Sequence, residues 1–216
     1  MRNLALMWVL GGVAVALLEA GDGKPPVSTF TDKRDGKVYR IVEINGQTWF
    51  AENLNYAAKG SRCFGEGGKV EVTKTLSHAK VQANCAEYGR LYNWETALTA
   101  CPAGTHLPTD EEWVTLVDYA GGEKKAGKKL KSTGSWNNGT DEYGFSALLG
   151  GYGTSGGYFF NNYTNGRWWS ATEINAWSAW YWGMLYFNED VFKYAFSKTD
   201  LFSVRCVQDD EKERRK

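Results

Sequence analysis

Four cysteines, Cys63, Cys85, Cys101 and Cys206, follow an N-terminus built like an export leader, and this combination constrains the fold more than any other feature of the chain. Met1-Arg2 supplies a short basic start, and Leu4 to Leu18 runs without a charge. Ala14-Val15-Ala16 matches an A-x-A cleavage pattern, with Leu18-Glu19-Ala20 as a weaker second option. The apolar run is too short for an ordinary membrane span, so residues 1–20 read as a removable signal peptide. Residues 21–28, with Pro25-Pro26, read as a linker. No cysteine near the cleavage region offers a lipid anchor, and no other run spans a membrane.

An even number of cysteines in an exported chain points to disulfides. Three connectivities are open. Cys63 and Cys85 flank a polar, glycine-rich stretch that needs a staple, while Cys101 ends an expected helix and Cys206 lies in the last expected strand. This placement favours Cys63–Cys85 and Cys101–Cys206. The second pair closes a loop of about 100 residues, worth roughly 4–5 kcal/mol in the chain-entropy model. No C-x-x-C spacing supports a zinc or thioredoxin-type site.

The chain carries 25 Lys+Arg against 25 Asp+Glu, so no basic excess recommends a nucleic-acid partner. Lys124, Lys125, Lys128, Lys129 and Lys131 form the one basic cluster, which reads as a solvated surface.

Asp35-Gly36 and Asn45-Gly46 are turn signals bracketing a strand over 37–44, and residues 47–51 complete a hairpin. An irregular region follows over 56–75. Trp94, Ala97, Leu98 and Cys101 share one helical face, stopped by Pro102 and Gly104. Thr109 and Glu112 form a capping box for a second helix with a buried stripe of Trp113, Leu116, Val117 and Ala120. Residues 143–196, a quarter of the chain, hold eighteen of its thirty-two aromatics. Strands are expected over 168–171, 179–187, 191–196 and 202–207. The charged tail, 209–216, is expected to be disordered. This order gives an α+β fold, two helices on one side of short, mostly antiparallel strands joined by long loops.

Seven blocks in this order resemble the Fibrobacter succinogenes major paralogous domain family: residues 32–39 (DKRDGKVY), 44–56 (INGQTWFAENLNY), 88–94 (YGRLYNW), 101–113 (CPAGTHLPTDEEW), 144–151 (GFSALLGG), 168–172 (WWSAT) and 202–207 (FSVRCV). The resemblance covers residues 29–208. It implies a unit similar to C-type-lectin-like domains, whose N- and C-terminal strands pair and whose long loops present a variable surface. The block at 107–113 is also similar to one in sulfatase-modifying domains. A disulfide from helix to last strand, matching Cys101–Cys206, is implied too. So is a bacterial, exported, cell-surface or extracellular setting, with no reaction attached.

The residues favour binding over catalysis. His106 precedes the capped helix and reads as structural, and His78 lies in a polar context. No nucleophile elbow, histidine metal pair or phosphate loop occurs. Sulfatase-modifying relatives use reactive cysteines, whereas all four here are expected in disulfides. Asp141/Glu142 and Glu189/Asp190 read as turn residues, not carboxylates facing across a substrate. Asn137, Asn138, Asp141 and Glu142 form one oxygen-rich stretch, and Asn161, Asn162 and Asn165 another. Calcium is the cation such ligands would take. The Trp-Asn-Asp and Glu-Pro-Asn signatures of calcium-dependent lectins are missing, so no cofactor is expected.

The candidate ligand surface is aromatic. Tyr158, Phe160, Tyr163 and Trp177 lie in polar, glycine- and asparagine-rich segments, and Trp180 and Trp182 alternate along a strand. Aromatic faces stack on sugars or dock on proteins, although many of these rings belong in a core. The expectation is a secreted or cell-surface, non-catalytic module that binds a glycan or a surface protein. The alternatives are an enzyme related to sulfatase-modifying domains with a dispersed site, and a surface scaffold.

Overall fold

The computed structural model describes residues 28–161 and 163–209; the expected signal peptide, nearly all of the linker and the tail from 210 lie outside them. The chain forms β1 (Ser28–Thr31), β2 (Val38–Ile44), β3 (Gln47–Phe50), β4 (Lys69–Val70), α1 (His78–Tyr88), β5 (Leu91–Tyr92), α2 (Trp94–Ala100), β6 (Thr105–His106), α3 (Asp110–Tyr119) and α4 (Ala126–Leu130). There follow β7 (Tyr152–Gly153), β8 (Tyr158–Phe160), β9 (Asn165–Glu173), β10 (Ser178–Leu185), β11 (Val191–Ser197), β12 (Phe202–Ser203) and β13 (Val207–Gln208). The fold is α+β, with strand pairing mostly antiparallel.

One five-stranded sheet runs β1-β2-β3-β13-β6, a second runs β11-β10-β9-β12-β5, and a small third runs β4-β8-β7. The hairpin turns at Asn45 (φ 50°) and Gly46 (φ 78°), the two left-handed positions that an Asn-Gly turn supplies cheaply. Its inner strand β3 pairs with β13 through Trp49 and Val207, so the N- and C-terminal parts of the chain share a sheet.

The sheets are buried on both faces. Strand alternation sends Trp168 and Trp169, neighbours in sequence, to opposite sides of β9. Trp168 joins Trp49, Trp113, Phe145, Trp182 and Met184 in one core, which α3 covers. Trp169 joins Tyr39, Phe50, Tyr181 and Phe202 in the other, which α2 covers. The helices therefore lie on both sides of the sheets, not on one as the element order suggested. Trp113 sits at the centre of its core, 4.9 Å from Trp49 and stacked 6.1 Å from Trp182. Truncating such a ring to alanine costs roughly 3–5 kcal/mol.

The helix over 110–119 has its capping box and its stripe of Trp113, Leu116 and Val117 buried, as expected. In α2, Trp94, Ala97 and Ala100 face the core, and Leu98 is exposed. Two helices escape the sequence reading. The short α4 buries Ala126 and Leu130, and α1 buries Val81, Asn84, Cys85 and Tyr88. Cys85 is thus helical, and its bridge to Cys63 pins α1 to the irregular segment before it. Cys101 caps the C-terminal end of α2 and is bonded to Cys206.

The strand expected over 202–207 is two strands. β12 belongs to the second sheet and β13 to the first. The intervening residues cross between sheets, with Val204 O accepting from Leu54 N and Cys206 O from Phe50 N, both at 2.9 Å. Within the basic cluster, Lys131 is not solvated but wholly buried. Its ammonium donates to the carbonyls of Leu185 (2.7 Å) and Asn188 and to Asn138 Oδ1 (3.3 Å), which ties down the loop after β10.

Candidate functional site

The sequence-singled aromatics divide among several places. Trp182 is buried in the core, its Nε1 donating to Asp110 Oδ1 at 3.0 Å, so it offers no ring face to a ligand. Trp180 lies on the same side of β10, half-buried under the Lys193 ammonium, 4.5 Å from its ring centre. Lys193 in turn pairs with Asp110 at 2.9 Å. Trp177 is 80% exposed in the turn between β9 and β10, and Tyr163 is exposed just before β9. Tyr158 and Phe160 flank the buried Phe159 in β8. Tyr158 borders an open cleft of about 540 Å³ lined also by Glu66, Lys69, Thr75 and His78. Phe160 packs on Tyr152, its cross-strand partner, at 5.5 Å.

Phe160 leads to a feature that the sequence reading missed. Arg167 of β9 has its guanidinium 4.0 Å from the ring centre of Tyr152, and 5.4–5.7 Å from those of Tyr181, Phe196 and Phe202. Tyr181 and Phe202 are buried and form a floor; Tyr152, Phe160 and Phe196 are half-buried and form a rim. Pairing continues the face outward across the edge strand. Gly183 sits between Arg167 and Phe192, and Tyr181 lies beside Tyr194, which is 61% exposed. Gly183 leaves room for Phe192: a Cβ there would lie 2.5 Å from the Phe192 ring. Trp180 points to the opposite face of this sheet, so it does not join the rings around Arg167.

Apart from Arg62, the other arginines among the described residues are partnered. Arg34 meets Asp32, Arg40 meets Glu52, and Arg90 meets Glu66. The Nε of Arg167 is buried without a hydrogen-bond partner, and Arg167 makes no salt bridge among the described residues. One signal was available: residues 166–172 of this strand place a single arginine among otherwise apolar or small residues, on the same alternation as Trp169.

The oxygen-rich stretch does not assemble as a ligand set. Both Asp141 oxygens are taken by Ser146, from its N–H at 2.7 Å and its hydroxyl at 2.6 Å. Glu142 pairs with Lys129, Asn138 accepts from Lys131, and Asn137 is exposed. Asn162 lies outside the described residues. No cluster of three or more His, Cys, Asp or Glu that could hold a metal occurs among the described residues. His78 is exposed. His106 is held between Glu112 Oε1 (2.8 Å) and Asp209 Oδ1 (2.7 Å). The hydrogen bond to Glu112 raises its pKa to about 9; burial opposes this and Asp209 adds to it. Asp209, the first residue of the expected disordered tail, is thereby fastened to β6 and α3.

Five of the seven sequence blocks converge on a buried polar centre rather than on a surface. Arg205, fully buried, donates through Nε to Asn53 Oδ1 (2.8 Å), through Nη1 to Phe50 O (3.0 Å) and Phe145 O, and through Nη2 to Ser146 O (2.7 Å). Asn53 Oδ1 also accepts from Trp168 Nε1 at 2.8 Å, and its Nδ2 donates to Tyr88 O at 2.9 Å. The family model of the Fibrobacter succinogenes major domain matches residues 42–208, which contain this whole network. The chain belongs to that family. No curated protein and no solved structure gave a match.

Membership in the Fibrobacter major domain family accounts for the blocks as architecture. Their residues Asn53, Tyr88, Phe145, Ser146, Trp168 and Arg205 satisfy one another inside the protein. The aromatic face around Arg167 is a different part of the same domain, built by β7 to β12.

Proposed function

We propose that this domain is a secreted or cell-surface, non-catalytic binding module of lectin-like fold, whose ligand is a glycan or a surface protein met by the aromatic face around Arg167. The observation that carries this reading is the run of unsealed rings on one side of the second sheet. Tyr152, Phe160, Phe192 and Phe196 are half-buried and Tyr194 is exposed, so the core of that side continues outward as a ligand-ready surface. Rings held by packing lose little entropy when they stack on a sugar or a partner side chain. Export is supported by two disulfides, which persist in oxidising compartments. No helix among the described residues is long and apolar enough to cross a membrane.

The test is a screen of the mature protein against a glycan array and cell-surface extracts. Phe160→Ala and Tyr194→Ala are expected to weaken the hit obtained, and Trp177→Ala tests whether the neighbouring turn takes part. Binding that survives both Phe160→Ala and Tyr194→Ala unchanged would remove the aromatic face from the function.

A further inference from the structure

The aromatic face contains one charge, and its setting is specific. A guanidinium normally ends on a carboxylate or on carbonyls, because its fork of donors is costly to leave without acceptors. That of Arg205 is satisfied by four oxygens. That of Arg167 lies 4.0 Å from the Tyr152 ring centre and within 5.7 Å of those of Tyr181, Phe196 and Phe202, with its Nε unpartnered. Asp200 is the internal carboxylate whose charge acts on this region. It is buried, it accepts from Ser155 N at 3.0 Å, and it makes no salt bridge with Arg167. Ring contacts fix the guanidinium in place without using its hydrogen-bond donors. A preoriented fork of that kind takes a carboxylate.

We propose that Arg167, with Tyr152, Phe160 and Phe196, forms a subsite for a uronic acid residue of an acidic glycan. The inference rests on the reading of this aromatic face as a ligand surface. A uronic acid carries its carboxylate directly on a pyranose ring, so a single residue presents both a flat apolar patch and an anion. The site presents the complement: half-buried rings beside a cation lacking an internal partner. An acidic peptide would supply the charge but not the rigid face next to it.

The experiment titrates oligogalacturonate and oligoglucuronate into the mature protein, with EDTA present so that no divalent cation bridges. Each is compared with its carboxyl-reduced counterpart, in which every carboxylate is a CH2OH. At least one acidic form is expected to bind roughly 10- to 100-fold more tightly than its reduced form, the worth of a charge-assisted hydrogen bond. Arg167→Gln is expected to abolish that difference while leaving the weak binding of the reduced form in place. The reduced-glycan comparison uses the unaltered protein, so it decides the matter even if the variant does not fold. Equal binding of acidic and reduced forms overturns the subsite but leaves the aromatic-face reading standing. Binding of oligoglutamate in preference to both acidic glycans overturns the sugar assignment in favour of an acidic peptide. If neither acidic glycan binds, the subsite is overturned, and the function proposed above then stands or falls separately on Phe160→Ala and Tyr194→Ala in the screen.

Discussion

Arg205 Nε and Trp168 Nε1 both point at Asn53, each donating to its Oδ1 at 2.8 Å. The three residues come from the crossing between the sheets, from β9, and from the segment after β3, so one amide oxygen joins the two sheets. Burial pulls the Arg205 guanidinium down from its ordinary range, to about 9. Four oxygens nonetheless surround its donors, which keeps it charged in the folded protein at neutral pH. A network of this kind is stabilising only while complete, because each lost partner leaves a buried polar group behind.

Asn53→Ala removes the acceptor for two buried donors, one of them charged. It is expected to cost about 3 kcal/mol, and Asn53→Asp less, because the carboxylate keeps the acceptor while losing the donor to Tyr88 O. Urea unfolding of the two variants checks the order. Equal small losses would mean that water or rearrangement replaces Asn53.

How far this was legible depends on what each element buries. The Asn-Gly hairpin and the Thr109–Glu112 capping box are local, and they form as the residues imply. Helix α1 was hidden because its inward row, Val81, Asn84, Cys85 and Tyr88, includes a polar asparagine. Asn84 Nδ2 finds its partner at Phe64 O, a contact that only the tertiary fold creates. The break between β12 and β13 was hidden for the same reason. Residues 202–207 read as one apolar strand, but Arg205 turns in to a centre assembled from distant segments. At the candidate site, the aromatic density of 143–196 pointed to the right region. Alternation puts Trp180 and Trp182 on one face and Tyr181 on the other, but it could not say which face carries open rings, because both faces of the sheet are covered. The sequence marks Arg167 as a lone arginine within its strand, but the rings around it come from four other strands and only the tertiary fold assembles them.

The two disulfides close loops of different length, 22 and 105 residues in separation. In the chain-entropy model the shorter is worth about 3 kcal/mol and the longer about 5 kcal/mol. Replacing Cys101 and Cys206 together with alanine is therefore expected to destabilise more than replacing Cys63 and Cys85, as read by denaturant midpoints. The reverse order would show that pinning α1 matters more than chain entropy. Mass mapping of the unreduced protein should return these two bridges.

His106 links stability to pH. Its folded pKa, raised to about 9, exceeds the ordinary value of 6.5, so the protonated ring binds its two carboxylates more strongly than the unfolded chain holds the proton. That contribution is complete below about pH 6.5 and is lost as pH rises through about 9. The cluster is a third exposed, so solvent screening limits it to about 1 kcal/mol. His106→Gln is expected to melt below the parent protein at pH 6 and close to it at pH 10. A gap that stays constant across this range would mean that His106 acts through packing alone.

Gly183 tests whether the aromatic face works as a shaped surface. Its position between Arg167 and Phe192 lets the Phe192 ring lie over bare backbone. In Gly183→Ala the new methyl would sit 2.5 Å from that ring, so Phe192 must swing outward. The strand pairs on both sides remain, and overpacking of this kind costs about 1–3 kcal/mol, which a domain held by two disulfides can absorb. The expected result is a folded protein, by far-UV circular dichroism, with a moderately lowered melting temperature. Its affinity for whatever the parent binds in the glycan and extract screen should fall at least as far as in Tyr194→Ala, because the substitution displaces a ring that packs on Tyr181, part of the floor under Arg167. Full affinity in the folded Gly183→Ala protein would place the ligand away from β10 and β11, toward Tyr158 and the His78 cleft.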